Sequence, residues 1–405
     1  MQLPSRDLPF EVPKYSLTGD VLSYQRCGLQ YRYYNRSSLP PSRPVQLWTG
    51  EFVHGMMEEM YLHWQQNRTP FPWPSNQTPW GGSFSTSPNP NRVNYDLGVL
   101  GDQVEARLRA SGKTPRNREA RDSAYRRVEA AMNLLVPHLF PLITAVEEKL
   151  SSTRLMPIAG INAPPGQQPR GDRYELTGVV DVISSVSLIS QQDNPLVQMI
   201  NSQIPGLSGQ FDVIVDYKAA RRPPMTPPPN SKPYWQHEAW QVQTYAWLRA
   251  QQPNTNPVRA GILIYVNELS PSQTDLNELK REINQGLTDI FPSSGSADDY
   301  ALGTWQSGYG QPLPSFTNSF LLQRAIRIVS VDHTEINQAV TEIDNVIARI
   351  EGCALHENVT GNIPNNWNAD GGDGDCDACD FRRFCPSPAS TRQTGQPPRP
   401  PVAPG

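Results

Sequence analysis

Apolar residues are distributed along this chain in two distinct rhythms. Continuous β-branched runs bounded by Gly, Pro or Ser predict buried strands at Gly178-Val-Val-Asp181, at Phe211-Asp-Val-Ile-Val-Asp216-Tyr-Lys218, at 261–266 and at 327–332. Helical spacing predicts a helix over 47–64, with Phe52, Met56 and Met60 on one stripe, and others over about 235–250 and 336–353. Between 102 and 151 the pattern reads as a long helical region, broken near 111–115 and again near Pro137 and Pro141. Strands alternating with helices predict an α/β fold. The expected organisation is one domain over 1–385 carrying polar insertions at 66–95 and 185–209, then a disordered Pro-rich tail over 386–405.

Composition narrows this picture. Of 405 residues 37% are hydrophobic, enough for one good core, and the 41 prolines gather in the insertions and the tail, at about twice the usual share. A formal net charge of -4 gives no global argument for nucleic-acid binding, so any such contact must be local. The sequence contains no basic-then-apolar leader and no apolar run of membrane-spanning length, and the chain is expected to be soluble and cytoplasmic, without membrane association.

The two central strands each end on a carboxylate. Side chains two apart share a strand face, so Asp216 and Lys218 point one way, and Asp181 arrives beside them if the strands pair. Two carboxylates and a lysine on buried strands are costly unless a divalent cation and a polar substrate occupy the gap. That grouping suits phosphodiester hydrolysis with Mg2+ or Mn2+, the lysine positioning a water or offsetting phosphate charge. An exposed edge hairpin with solvated Asp and Lys is the alternative.

Five cysteines with uneven spacing do not suggest a disulfide framework. Cys376, Cys379 and Cys385 form C-x2-C-x5-C, in which the tight pair reads as two ligands of one metal. Cys27 is the candidate fourth ligand, whereas Cys353, following a helix, reads as a buried spare thiol. Four thiolates fit structural zinc or a 4Fe-4S cluster, and spacing alone leans to zinc. Joining Cys27 to Cys376 would close a loop of about 350 residues, worth on the order of 5 to 6 kcal/mol by loop entropy.

Other positions carry weaker signals. Seven Arg and one Lys between 107 and 127, against Glu119 and Asp122, make the most basic stretch, a phosphate track or a solvated helix face. His54 early in its helix is a metal ligand or a structural imidazole. Gln241 and Tyr245, four apart, share a helix face that would reach the scissile phosphate if it lies on the sheet. Of Glu147 and Glu148, one glutamate supports the metal site or both lie on an amphipathic surface.

In order along the chain stand Cys27, the Gly50-x-x-x-His54 helix, a G-x-x-D strand, a D-Y-K strand, a Q-x3-Y helix and the terminal C-x2-C-x5-C. This succession resembles the PD-(D/E)XK nuclease superfamily. Within it, the chain is similar to the RecB-type branch with an iron-sulfur clamp, including CRISPR-associated RecB-family exonucleases and the AddB nuclease domain. The resemblance implies a restriction-endonuclease-like core, a mixed central sheet flanked by helices, with the N- and C-terminal segments joined by a four-Cys cluster. It implies metal ligation by His54, Asp181, Asp216 and the Tyr217 carbonyl, catalysis by Asp181, Asp216, Lys218, Gln241 and Tyr245, and a 4Fe-4S cluster on Cys27, Cys376, Cys379 and Cys385, against the zinc lean. DNA is the implied substrate, cut from single-stranded ends with Mg2+ or Mn2+, and Arg116, Arg118, Arg121, Arg126, Arg127 and Arg221 are the expected backbone contacts. The alternative is a non-catalytic DNA-binding or scaffold protein with the same fold. Two departures stand out: 34 residues lie between Asp181 and Asp216, requiring an extruded loop, and no G-x4-G-K-[ST] loop is present, which points to stand-alone DNA processing.

Overall fold

The longest strand explains the architecture. In the computed structural model, which describes residues 12–36, 45–71, 73, 97–226, 234–308, 311–372, 375–376, 379–382 and 385–386, the strands are β1 (Lys14–Ser16), β2 (Ile143–Leu155), β3 (Arg173–Ser187), β4 (Gln210–Lys218), β5 (Val258–Tyr265) and β6 (Ile326–Ser330). They form one mixed sheet. β2 pairs antiparallel with β3 from Ile143↔Ser184 to Leu155↔Arg173, filling one edge of it. β1 (parallel, at 175–177) and β4 (antiparallel, at 182–187) must therefore share the other edge. Between them, residues 178–181 of β3 are left unladdered on that side. β4 continues to β5 in parallel, and β5 to β6 antiparallel.

Helices cover both faces. α1 (Ser23–Arg26) and α2 (Gly28–Arg36) open the chain, followed by α3 (Val45–Asn67), α4 (Leu97–Ala110), α5 (Arg118–Leu134), the short α6 (Val136–Leu139) and α7 (Pro195–Gln203). Then come α8 (Tyr234–Ala250), α9 (Gln273–Gln285), α10 (Ala297–Thr304), α11 (Asn318–Ala325) and α12 (His333–Thr360). β4 shows how its alternation feeds both layers. Phe211, Val213, Val215 and Tyr217 join the core under α3, α5 and α7, while Ile214 joins the core under α8 and α12. Burial at about 25 cal/mol per Å2 of apolar surface is what holds each helical layer on the sheet.

α8 lies unusually close to the sheet because two strand positions lack side chains. A Cβ at Gly178 would stand 2.6 Å from the Tyr245 ring, and one at Gly261 would stand 2.2 Å from Val242. Any larger residue at either position would push the helix away. Trp240 donates to the Ala339 carbonyl at 2.9 Å, tying α8 to α12.

Several expectations need correction. The helical reading of 102–151 holds for α4 and α5, but the chain after Pro141 is β2. Pro137 sits in the first turn of α6 and Pro141 in the 3-10 turn after it, and the ladder to β3 overrides the local helix preference of Glu147-Glu-Lys-Leu150. The 185–209 insertion is not a bare loop: residues 185–187 are the end of β3, paired with β4, and a helix follows. Asn194 caps α7, Pro195 sits at its first turn, and Leu196, Val197 and Ile200 are buried. Cys353 lies within α12, not after it, half-buried with its Sγ 3.5 Å from Tyr24 Oη. The β5–β6 connection carries α9 to α11 around a small core of Leu276, Leu279, Leu302, Trp305 and Phe320, an insertion the apolar pattern did not reveal. Most of the 66–95 loop and of the tail from 386 lies outside the described residues. Among these, no helix is long and apolar enough to cross a membrane.

Candidate functional site

α3 is fixed by an apolar stripe in which Trp48 stacks on Phe52 with ring centroids 4.9 Å apart and Met56, Met57 and Met60 are buried. His54 falls on the opposite flank, toward the sheet. Its Nε2 lies 2.9 Å from the Tyr217 carbonyl oxygen and its Nδ1 3.3 Å from Asp181 Oδ1. β4 parts from β3 after the Val182↔Val215 pair. In the resulting gap, Asp181 Oδ2 accepts the Tyr217 N–H at 2.9 Å, replacing the ladder bond the strands no longer make. Thus the unladdered stretch of β3 delivers Asp181 to the end of β4.

Asp216 and Lys218 share the β4 face that looks at α8. Lys218 Nζ is 2.5 Å from Asp216 Oδ2 and donates to Gln241 Oε1 at 2.9 Å, and Gln241 Nε2 donates to Tyr245 Oη at 3.3 Å. Further down the same pair of elements, Arg249 on α8 meets Asp212 on β4 at 3.1 Å. The two contacts fix the register of helix on strand. Gln241 and Tyr245 therefore face the sheet, as expected for positions four apart, but both are engaged behind Lys218.

A further carboxylate enters from β2. Glu147 is flanked by the pairs Val146↔Val182 and Glu148↔Val180, which set it opposite Asp181. Its φ of 48° is left-handed, a conformation a glutamate adopts only where its surroundings impose it. His54, Glu147 and Asp181 offer ligand atoms that all lie within 4.8 Å of one another. The sequence signal for Glu147 was an acidic pair, read there as surface or support. What concealed its place was the helical reading of the segment, since strand pairing alone turns it toward Asp181.

The electrostatics are those of an overcrowded anion site. Burial pushes the Glu147 carboxyl up, and the Asp181 charge pushes it further, to about 7. Burial would lower His54, but the hydrogen bond and charge of Asp181, with Asp216 and Glu147 behind it, raise it to about 9. Asp216, 3% exposed, is held above the usual carboxylate range by burial against the counteracting charge of Lys218. Burial would likewise lower Lys218, and Asp216 followed by Glu238 outweighs it, so the ammonium persists. Asp216 Oδ2 is held by the Lys218 ammonium at 2.5 Å, which Gln241 Oε1 shares. A buried carboxylate beside two more carboxylates, an imidazole and a backbone carbonyl is a donor set suited to a hard divalent cation.

The cysteines meet at a separate place, where the N-terminal helices face the C-terminal segment. Cys27, Cys376, Cys379 and Cys385 line one cavity, together with Tyr33, Gly371 and Phe381. A Cβ on Gly371 would stand 3.4 Å from Cys376 Sγ and 3.5 Å from the Cys27 Cβ, which places the two chain ends against one residue. The segments are also joined without sulfur: Leu29 N–H donates to the Asn368 carbonyl at 2.8 Å, Gly28 N–H to Asp370 at 3.3 Å, and Arg32 forks onto Glu357. Burial pushes the Cys379 thiol up to about 11, so a thiolate there needs a cation beside it.

The expected arginine contacts divide. Arg116, Arg118 and Arg126 are exposed, although Arg118 pairs with Asp122 at 3.6 Å. Arg121 is 7% exposed, its guanidinium on Glu105 and over the Tyr125 ring. Arg127 meets Asp275 at 3.1 Å and Arg221 meets Glu282 at 2.6 Å. These last three point into the protein rather than along a surface track.

Residues 208–386 match the family model of the PD-(D/E)XK nuclease superfamily, and no curated protein matches the chain. The matched segment is less than half the chain. It contains Asp216, Lys218, Gln241, Tyr245 and the C-terminal cysteines, and it stops short of His54, Glu147, Asp181 and Cys27. The mixed sheet flanked by helices is consistent with a restriction-endonuclease-like fold, and the matched domain points to a nuclease.

Proposed function

We propose that this protein is a divalent-metal-dependent deoxyribonuclease whose centre is built by His54, Glu147, Asp181, Asp216 and the Tyr217 carbonyl. One observation carries the reading: three side chains from α3, β2 and β3 place ligand atoms within 4.8 Å of one another, beside the buried carboxylate of Asp216. Mg2+ or Mn2+ bound there would acidify a water and offset charge on a phosphate. The chain's own groups supply the rest. Lys218, drawn between Asp216 and Gln241, presents an ammionium-type charge to the attacking water and the phosphate; Gln241, itself bonded to Tyr245, limits where that charge can move. Exposed Arg116, Arg118 and Arg126 serve as backbone contacts. Resemblance to the RecB-type branch extends the reading to an exonuclease acting on single-stranded ends.

We also assign the four-cysteine cavity to a 4Fe-4S cluster held by Cys27, Cys376, Cys379 and Cys385, which would pin the two ends of the domain. Anaerobic purification gives a brown protein with iron and sulfide if this is right, and a colourless one with zinc if it is not.

The test of the nuclease reading is cleavage of end-labelled DNA. The native chain is expected to cut with Mn2+ and not with chelator. Asp181→Asn should lose more than about 100-fold of the rate, since even residues that only orient metal ligands are worth 10 to 100-fold. Lys218→Ala is the poorer probe, because it also strips the counter-charge from buried Asp216. Equal cutting by Asp181→Asn, or a native chain that binds DNA and cuts none with any divalent cation, overturns the reading; the latter result identifies a non-catalytic binding protein.

A further inference from the structure

The nuclease reading makes the position of one ammonium decisive, and Asp216 and Gln241 are not the only groups around it. Glu238 lies one turn before Gln241 on α8, on the same helix face. Its Oε2 accepts a hydrogen bond from Tyr265 Oη at 2.6 Å. Tyr265 is fully buried and is the register partner of Lys218 on the adjacent parallel strand. Glu238 is thus held by a helix on one side and by the end of β5 on the other, over the end of β4 where Lys218 emerges.

The charges agree with this placement. Burial raises the Glu238 carboxyl, opposed first by the charge of Lys218 and then by the Tyr265 hydrogen bond, and the charges of Asp216 and then Glu238 hold the Lys218 ammonium protonated against burial. Two carboxylates for one lysine have a physical use. A cation taken up by Asp216 would neutralise that carboxylate and repel the neighbouring ammonium, leaving Asp216 unable to retain it. A second anion, on a different element and away from His54, Glu147 and Asp181, keeps its hold.

We propose, resting on the nuclease reading, that Glu238 is a positioning residue: anchored by Tyr265, it retains the Lys218 ammonium at the reacting phosphate when Asp216 is committed to the metal. It touches neither substrate nor metal, and acts through Lys218.

The experiment compares the full chain with Glu238→Gln and Tyr265→Phe. Glu238→Gln keeps an acceptor for the Tyr265 hydroxyl and removes the charge. Its kcat on end-labelled DNA with Mn2+ should fall about tenfold, the lower end of what residues orienting a catalytic group contribute, with KM, Mn2+ affinity and Tm unchanged. Tyr265→Phe keeps the charge and should retain more of kcat. Crystal structures of both proteins with Mn2+ should show Lys218 Nζ displaced in Glu238→Gln. A native kcat in Glu238→Gln overturns the proposal, and so does a fall in kcat accompanied by equal losses in KM and Tm, which would make Glu238 a packing group. If the native chain itself cuts nothing, the nuclease reading fails, and the position of Lys218 in the two structures still decides whether Glu238 holds it.

Discussion

Two buried polar clusters flank the ends of β4 and β5, and they answer burial in opposite ways. At the foot of the α9–α11 insertion, Arg324 (1% exposed) lays a fork on Glu268 at 2.8 and 3.0 Å and donates to Thr288 at 2.8 Å. Arg222 forks onto Asp289 and donates to the Ile326 carbonyl at 2.7 Å, and its N–H reaches Glu268 at 2.8 Å. Burial would raise Asp289, but the Arg222 hydrogen bonds outweigh it and hold the carboxyl below its usual range. In the His54, Glu147, Asp181 and Asp216 group, acids face acids. Burial and mutual repulsion there hold Glu147 and Asp216 above theirs. The first cluster pairs each acid with an arginine and holds the fold together, whereas the second sets three carboxylates against the imidazole of His54 and the ammonium of Lys218, a crowding of acids that a bound cation would offset.

Breaking the paired cluster gives the largest effect. Arg324→Met leaves Glu268 buried without its fork and should cost about 3–5 kcal/mol of stability, read from urea denaturation. Loss of under about 1 kcal/mol would erase the contrast, since solvent-exposed pairs are worth that much.

The crowded cluster responds to pH. In the metal-free protein His54 carries a proton up to about pH 9, and a cation must displace it. Rising pH removes that competition, so Mn2+ affinity measured by calorimetry should increase from pH 7 toward about 9, by at most about tenfold per unit for one released proton, and level off above. A flat profile would show that His54 is not displaced. The sign follows from the direction of the shift: a raised imidazole favours the protonated, metal-free form at low pH.

The smallest effect concerns the arginines, which divide in the same manner. Arg116→Ala removes an exposed charge and should lower the salt dependence of DNA binding by about one unit of log-log slope, with no change in Tm. Arg121→Ala should instead unfold the α4–α5 contact with Glu105. An unchanged slope in Arg116→Ala removes this face from the DNA track.

Much of the site was legible because it lies on elements whose rhythm is strong. The β-branched run ending in Asp216-Tyr-Lys218 is a strand by composition, and its period of two alone places Asp216 and Lys218 on one face. The helical spacing of Gln241 and Tyr245 put both on the sheet side of α8. Glu147 was not legible in this way. Its segment, Val-Glu-Glu-Lys-Leu, favours a helix locally, and the long pairing of the thirteen-residue β2 along β3 decides otherwise.

By itself, then, the sequence determined the elements of strongest rhythm, such as β4 and α8, which of their faces are apolar, and a C-x2-C-x5-C pattern with the chemistry of metal ligands, because these depend on local periodicity and residue type. The tertiary structure decided three things that depend on long-range pairing. β4 leaves β3 after Val182↔Val215 and opens the gap that Asp181 fills. β2 turns Glu147 into that gap. The arginines are sorted into buried forks and exposed charges by partners such as Glu105, Asp275 and Glu282, at separations that no local pattern encodes.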